Sequence, residues 1–69
     1  MSVYKVIDLI GSSTKSWDDA ARNAIEAASA SLRELRVAEV VEMDLALSDK
    51  GKIEAYRTKL RVSFKYEKD

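Results

Sequence analysis

The feature that most constrains this fold is a pair of alternating segments joined by a short polar turn. Apolar and polar residues alternate on both sides of the turn at 48–51, over residues 35–66. Alternation with a period of two is typical of a strand with one covered face, and a turn containing Gly between two such runs indicates a hairpin. The sequence therefore predicts a long hairpin from Leu35 to Tyr66. The hairpin consists of the second and third strands of the fold. The second strand covers 37–47, and the third strand shows clear alternation over 56–66.

A strand and a helix are predicted upstream of the hairpin. Residues 3–10 are rich in β-branched side chains and indicate the first strand, and 11–15 read as a turn. Ser16 is a favoured N-cap, followed by two aspartates in the first helical turn. The helix is predicted to run for about 18 residues and to end near Leu35 and Arg36. Its apolar stripe comprises Trp17, Ala20, Ala21, Ala24, Ala28, Leu32 and Leu35.

These elements predict an α+β fold of β-α-β-β order in a single domain spanning residues 1–69. One helix covers one face of a three-stranded antiparallel sheet, and the small alanine side chains let it lie close to the strands. The face predicted to meet the helix comprises Val41, Met43, Leu45, Tyr56, Leu60 and Val62.

The predicted register follows from centring the turn on Asp49 and Lys50, so that paired residue numbers sum to about 99, give or take one. Glu42 then lies opposite Arg57. The other expected pairs are Asp44 with Ala55, Val40 with Lys59 and Ala38 with Arg61. The second face of the hairpin would carry acidic residues on strand two and basic residues on strand three.

Glu42, Arg57 and Asp44 form the most informative polar group. They fit either an ion pair on a solvated or interface face, or part of a ligand or ion site. Carboxylates suit calcium, which takes six to eight oxygen ligands. Glu42 and Asp44 are therefore the candidate metal ligands, although one chain offers too few without waters or neighbouring subunits.

Other candidate groups have simpler interpretations beside a functional one. Trp17 fits a core or interface residue, or a stacking platform. The basic row of Lys59, Arg61 and Lys65 fits a solvated strand face, or contact with an anionic ligand. Gly11 lies in a polar segment before the helix, but the phosphate-binding pattern G-x-x-x-x-G-K-[ST] is absent.

Composition restricts the function classes further. The chain has no Cys and no His, which removes the commonest catalytic bases and nucleophile pairs, so we assign no catalytic residue and expect no enzyme. Twelve basic residues balance twelve acidic ones, which argues against nucleic-acid binding. No apolar run approaches the length of a membrane span, and the N-terminal segment lacks a signal-peptide pattern. The expected location is the cytoplasm.

Size points to self-assembly. A chain of 69 residues buries only about 60% of the surface that its unfolded form exposes, so it is marginally stable by itself. Disulfides are excluded, and the second face of the sheet and the strand edges have no covering element. Oligomerisation is the remaining means of stabilisation.

The chain resembles the dodecins, a family of small flavin-binding proteins. The resemblance covers nearly the whole chain through the segments VYKVIDLIGSS, a helix of the W-x-x-A-A-x-x-A-I type, LRVAEVVEMDL and AYRTKLRVSF. It implies a homododecameric hollow shell that binds a small ligand between subunits. It implies storage of flavins, as riboflavin or FMN, without catalysis.

Two positions depart from the flavin-binding pattern. The resemblance places a stacking Trp where this chain has Val37, and a Gln that hydrogen-bonds the flavin edge where it has Arg57. Glu42 lies where flavin binders present a carboxylate, so an Arg57–Glu42 clamp is expected to close the pocket. Tight flavin stacking should be weakened or lost. The divergent branch that the chain resembles includes calcium-binding dodecins, so the alternative is a shell that binds calcium or another metal ion, or one that is purely structural.

Overall fold

The computed structural model describes residues 2–65, which fold in the order β-α-β-β. The elements are β1 Tyr4–Ser13, α1 Trp17–Ser29, β2 Leu35–Leu47 and β3 Ile53–Lys65. The strands form one antiparallel sheet in the order β1-β3-β2, with α1 packed on one face. The predicted fold class is confirmed. Among the described residues, no helix is long and apolar enough to span a membrane.

β1 is longer than predicted, because Gly11 and the two residues after it belong to the strand rather than to a turn. Gly11 pairs with Thr58 of β3, and Ser13 pairs with Tyr56. A Cβ at Gly11 would overlap the carbonyl oxygen of Ala20 and lie 2.9 Å from the side chain of Ala24. Glycine is therefore needed here for the close approach of the helix, not for a turn.

α1 begins as predicted but ends earlier. Ser16 is its N-cap, and the Ser16 hydroxyl accepts a hydrogen bond from the backbone N–H of Asp19 at 3.0 Å. The helix has 13 residues instead of about 18, since the chain reverses before β2. Glu34 adopts a left-handed conformation at φ 61°, and its carbonyl accepts a hydrogen bond from Lys65 at 3.2 Å. Leu35, which extended the apolar stripe in the sequence, is the first residue of β2.

The hairpin turn lies where the sequence predicted it. Ser48 and Lys52 close the loop through a backbone hydrogen bond of 2.8 Å, and Gly51 donates to the carbonyl of Ser48 at 2.9 Å. Gly51 has φ 76°, in the region that glycine adopts without strain. The predicted third strand included Tyr66, which lies outside the described residues.

The residue pairs predicted for the hairpin are wrong by one or two positions, because β-bulges shift the pairing along the strands. Irregularities lie between Val40 and Glu42 and between Ala46 and Leu47, with another at the start of β2. Arg57 pairs with Asp44 rather than with Glu42. The remaining corrected pairs are Ala46–Ala55, Glu42–Lys59, Val40–Leu60, Glu39–Arg61 and Ala38–Val62.

The bulge at Val41 also changes which residues meet the helix. Val41 has no partner in β3. Ala38 and Val40, predicted among the charged residues, pair with core residues and lie on the helix side of the sheet. Glu39 pairs with Arg61 and lies on the face of the sheet opposite the helix. One inserted residue exchanges the two faces of a strand, since side chains alternate with a period of two.

The hydrophobic core lies between α1, β1 and β3. Its buried apolar residues are Ala20, Ala24, Ala28, Leu60 and Val62. The helix thus covers the central strand and one edge strand, whereas β2 remains largely uncovered. Val37, Val40, Met43 and Leu47 of β2 are each more than half exposed.

Two surfaces near the ends of the fold have no covering element within the described chain. An apolar groove of about 410 Å³ lies between β1 and the C-terminal half of α1, lined by Ile7, Leu9, Ile10, Ala24, Ala27, Ala28, Ser31 and Leu32. At the other end, the last β1 pair is Ser13 with Tyr56. Residues 46–55 extend beyond that pair as two strands, which we name the hairpin arm.

Candidate functional site

The sheet face opposite α1, which we name the outer face, carries a column of basic residues between acidic ones. Arg57, Lys59 and Arg61 occupy alternate positions of the central strand β3. They face Asp44, Glu42 and Glu39 of β2, respectively, while Asp8 of β1 lies beside Arg61 on the other side. The predicted patch with acid on one strand and base on the next is therefore present, with different partners.

Asp44 and Arg57 form the best-defined ion pair of this face. The Nε and Nη2 atoms of Arg57 donate to the two carboxylate oxygens of Asp44 at 2.7 and 2.9 Å. This bidentate hydrogen bonding lowers the pKa of Asp44 and raises that of Arg57. Because both side chains are nearly half exposed, water screens the pair. The Arg57–Glu42 clamp expected from the sequence is replaced by an Arg57–Asp44 pair.

Like Glu39, Glu42 is a carboxylate of this face that no arginine binds within the described residues. It lies opposite Lys59, yet within residues 2–65 it forms no ion pair at 4.0 Å or less. Its charge contributes slightly to the raised pKa of Arg57. Glu42 and Asp44 point to the same face of β2, as predicted, but a cation at Asp44 competes with the charge of the Arg57 guanidinium.

A second bidentate pair joins β1 to β3. Arg61 donates to the carboxylate of Asp8 at 3.0 and 3.3 Å, which lowers the pKa of Asp8 and raises that of Arg61. The sequence reasoning missed this pair. The signal was present, because Asp8 interrupts an otherwise apolar strand and needs a cationic neighbour on the same face.

Trp17 fixes Asp44 from the helix side of the sheet. Its indole N–H donates to the backbone carbonyl of Asp44 at 3.0 Å, and its ring meets Tyr56 edge to face at 5.2 Å between centroids. The hydroxyl of the buried Thr58 donates to the Trp17 carbonyl at 2.9 Å. Trp17 is therefore a half-buried packing residue. Its contact with Asp44 had no signal in the sequence.

Val37 lies far from the other candidate residues. It pairs with Ser63, and its side chain is 62% exposed. Ser63 and Arg57 are six residues apart on β3, a distance of about 20 Å along an extended strand. One copy of the chain therefore does not bring Val37 and Arg57 together, and a small ligand that contacts both positions needs two copies.

The described residues contain no group of three or more His, Cys, Asp or Glu side chains able to hold a metal ion. Glu42 and Asp44 provide two carboxylates, and Asp44 is engaged by Arg57. Calcium takes six to eight oxygens, so these residues fit a calcium ion only as part of a larger site shared with another copy or with water.

Comparisons with known proteins agree on one family. A family model described as Dodecin matches residues 3–67. The calcium dodecin of Mycobacterium tuberculosis is 55% identical over 65 residues, covering 94% of this chain and 90% of that protein.

Solved structures show the same similarity. A crystal structure of the Mycobacterium tuberculosis calcium dodecin, described as calcium-chelating with a novel calcium-binding site, superposes with a TM-score of 0.85 at 53% identity, covering 96% of this chain and 93% of that one. The dodecin from Streptomyces davaonensis gives a TM-score of 0.88 at 36% identity, with 97% of each chain covered.

Proposed function

The chain belongs to the dodecin family, and we propose that it is a non-enzymatic storage protein that assembles as a homododecamer and holds a small ligand between subunits. The family establishes the general type, a small-ligand-binding protein. The ligand, the number of subunits and a cytoplasmic location are the parts that we propose. In this function the ligand is bound and released unchanged.

The exposed area of one copy supports assembly. Its accessible surface is 5379 Å². Monomeric globular proteins of this mass expose about 4,300 Å². The excess of about 1,000 Å² is comparable to the roughly 800 Å² that each partner buries in a stable interface. β2 and the hairpin arm carry large exposed hydrophobic residues that an interface between copies would cover.

The Asp44–Arg57 ion pair is the observation that carries the proposal of weakened flavin binding. Arg57 occupies the position where flavin-binding dodecins hydrogen-bond the ring with an amide. Its guanidinium is a donor only and is already bound to Asp44 at 2.7 and 2.9 Å. Val37 has no aromatic face, and stacking on an aromatic side chain is worth roughly 1–3 kcal/mol per base. We therefore expect that neither of the two contacts that the resemblance assigns to the flavin ring is made by this chain.

A flavin titration tests this proposal. We expect riboflavin and FMN fluorescence to be unquenched by the natural chain at flavin and protein concentrations where the double variant Val37→Trp/Arg57→Gln quenches it. The variant restores the stacking ring and the amide. The matched control Val37→Leu/Arg57→Lys changes the same positions without restoring either. Quenching of flavin fluorescence by the natural chain at those same concentrations would show that the proposal is wrong.

Calcium is the second candidate ligand, favoured by the available Glu42 carboxylate next to Asp44 and by the similarity to a calcium dodecin. A ligand that binds only the folded state raises the unfolding temperature. We expect millimolar calcium to raise it, magnesium to raise it less, and Glu42→Gln to abolish the calcium effect. If calcium raises the unfolding temperature of the natural chain and of Glu42→Gln equally, Glu42 is not a calcium ligand.

A further inference from the structure

Asp44 lies at the centre of a short regular block of β2. Residues 42–46 pair one to one with residues 55–59 of β3, and the pairing shifts on either side of this block. A slip of one residue within the block would turn all of its side chains to the other face of the sheet. A contact from outside the sheet that binds the block selects one register, in which the carboxylate of Asp44 faces Arg57.

Trp17 provides a contact of this kind. Its indole N–H donates to the backbone carbonyl of Asp44 at 3.0 Å. Within residues 2–65, no other side-chain hydrogen bond joins α1 to β2. Trp17 is itself held, because the hydroxyl of Thr58 donates to its carbonyl at 2.9 Å and Tyr56 packs edge to face against its ring. Thr58 is 1% exposed, so little water competes for its hydroxyl.

These contacts form a closed ring that passes through the sheet. Arg57 and Thr58 are neighbours in β3 and therefore point to opposite faces. Arg57 binds the carboxylate of Asp44 on the outer face, and Thr58 binds the carbonyl of Trp17 on the helix side. The indole of Trp17 binds the carbonyl of Asp44 and completes the ring. A displacement of one member changes the geometry of the next, because hydrogen bonds and one peptide bond join all four residues.

We infer that Trp17 is a positioning residue for the ligand site on the outer face: it holds β2 so that the carboxylate of Asp44 occupies the guanidinium of Arg57. Trp17 acts through Asp44 and touches no ligand itself. A ligand that draws Arg57 or Asp44 aside distorts the ring, so the beginning of α1 responds to occupancy of the outer face, and Trp17 opposes that occupancy in return. The inference rests on the proposed function in one respect, since that proposal makes the ion pair part of a ligand site.

The proton resonance of the Trp17 indole N–H tests the ring from the outer face, in nuclear magnetic resonance spectra recorded without ligand. In Arg57→Gln, Asp44 loses its bidentate partner, and we expect an upfield shift as the hydrogen bond to the Asp44 carbonyl lengthens. Arg61→Gln is the matched control. Arg61 is nearly as exposed as Arg57 and has its own bidentate partner, Asp8, which forms no hydrogen bond with Trp17. The resonance should not move in this control.

A double-mutant cycle tests the same coupling from the helix side, with urea midpoints measured at one protein concentration. Trp17→Phe keeps a ring beside Tyr56 and removes the N–H donor. We expect the combined loss of Trp17→Phe and Arg57→Gln to be smaller than the sum of the single losses, because both disrupt one ring. The losses of Trp17→Phe and Arg61→Gln should add. If Trp17→Phe does not fold, Thr58→Val removes the other hydrogen bond that holds Trp17 and should give the same non-additive result with Arg57→Gln.

Three results would overturn the inference. An equal shift of the indole resonance in Arg57→Gln and Arg61→Gln would indicate a general effect of charge on the outer face. An unmoved resonance in Arg57→Gln, or additive losses for Trp17→Phe and Arg57→Gln, would show that Trp17 packs the helix without positioning the ion pair. Because these measurements use no ligand, each of these results leaves the proposed function standing, and the flavin and calcium titrations test that function separately.

Discussion

At the scale of residues, Asp44 is held from both faces of the sheet. Trp17 binds its backbone carbonyl from the helix side, and Arg57 binds its carboxylate on the outer face. Such a residue links the start of α1 to the middle of the hairpin. A cation that binds this carboxylate competes with the guanidinium of Arg57.

The acid sensitivity of the fold should report on this pair. The pKa of Asp44 is lowered from its ordinary value of 3.8, first by hydrogen bonding to Arg57. The stability that the pair contributes is therefore fully present above pH 3.8 and is lost as the pH falls through the lower folded pKa. We expect Asp44→Asn to be less stable than the natural chain above pH 3.8, with the difference shrinking below it.

Urea midpoints measured from neutral pH to about pH 2 check this expectation, since the ordinary Asp pKa lies within that range. Glu42→Gln is the matched control, because Glu42 forms no ion pair within the described chain. The loss in Asp44→Asn should also decrease at high salt, as screening weakens exposed pairs. A pH-independent difference between the natural chain and Asp44→Asn would contradict the assignment.

At the scale of elements, the sequence predicted the kinds and order of the elements but not their ends or their register. Alternation and helical spacing indicate which side chains must be covered, and they identified the strands, the helix and the N-cap Ser16. They do not show where a bulge falls. In the sequence, Val41 is one more apolar residue of its strand, and only the pairing of its neighbours Val40 and Glu42 with β3 shows that it is inserted.

The same limit explains the errors at the candidate site. The acid-and-base patch follows from composition along each strand, so it could be predicted. The partner of Arg57 depends on the irregularity between Ala46 and Leu47 and on the loop closed by Ser48 and Lys52, so it could not be predicted. The early end of α1 likewise depends on where β3 accepts β2, at the Lys65–Glu34 hydrogen bond.

The approach of α1 to β1 depends on Gly11. In Gly11→Ala, the new methyl group would overlap the backbone of Ala20, which cannot move without shifting the helix. Overpacking of this kind costs about 1–3 kcal/mol. We expect a loss in this range, measured as the free energy of unfolding in urea. Gly51→Asn is the control, since its site is open and Asn tolerates a positive φ. An equal loss in both variants would show that contact with α1 is not the cause.

At the scale of the whole molecule, one copy is long and narrow, with extents of 53 × 19 × 16 Å. Such a shape has much surface for its mass, and the core is small, because five apolar residues are buried in the described chain. Assembly would increase the buried apolar area by covering β2 and the hairpin arm. The free energy of unfolding should therefore be larger for the oligomer than for a single copy.

A dependence of stability on protein concentration checks this expectation. When folded copies are stabilised by one another, dilution favours the unfolded chain. We expect the unfolding temperature to fall on dilution, and light scattering to show a particle of many copies before unfolding. Leu47→Glu, which places a charge on the arm, should reduce the particle size, whereas Lys50→Glu in the neighbouring exposed loop should not. A folded single copy with a concentration-independent transition would contradict the assembly.

The position of the single tryptophan gives the molecule a built-in optical probe. Trp17 is the only indole in the chain, and it touches the carbonyl of the residue whose carboxylate binds Arg57. Its emission spectrum therefore depends on the local electric field where the beginning of α1 contacts the middle of the hairpin. A cation that draws Asp44 away from Arg57 would change that field, so occupancy could be followed by ultraviolet emission without any dye or label.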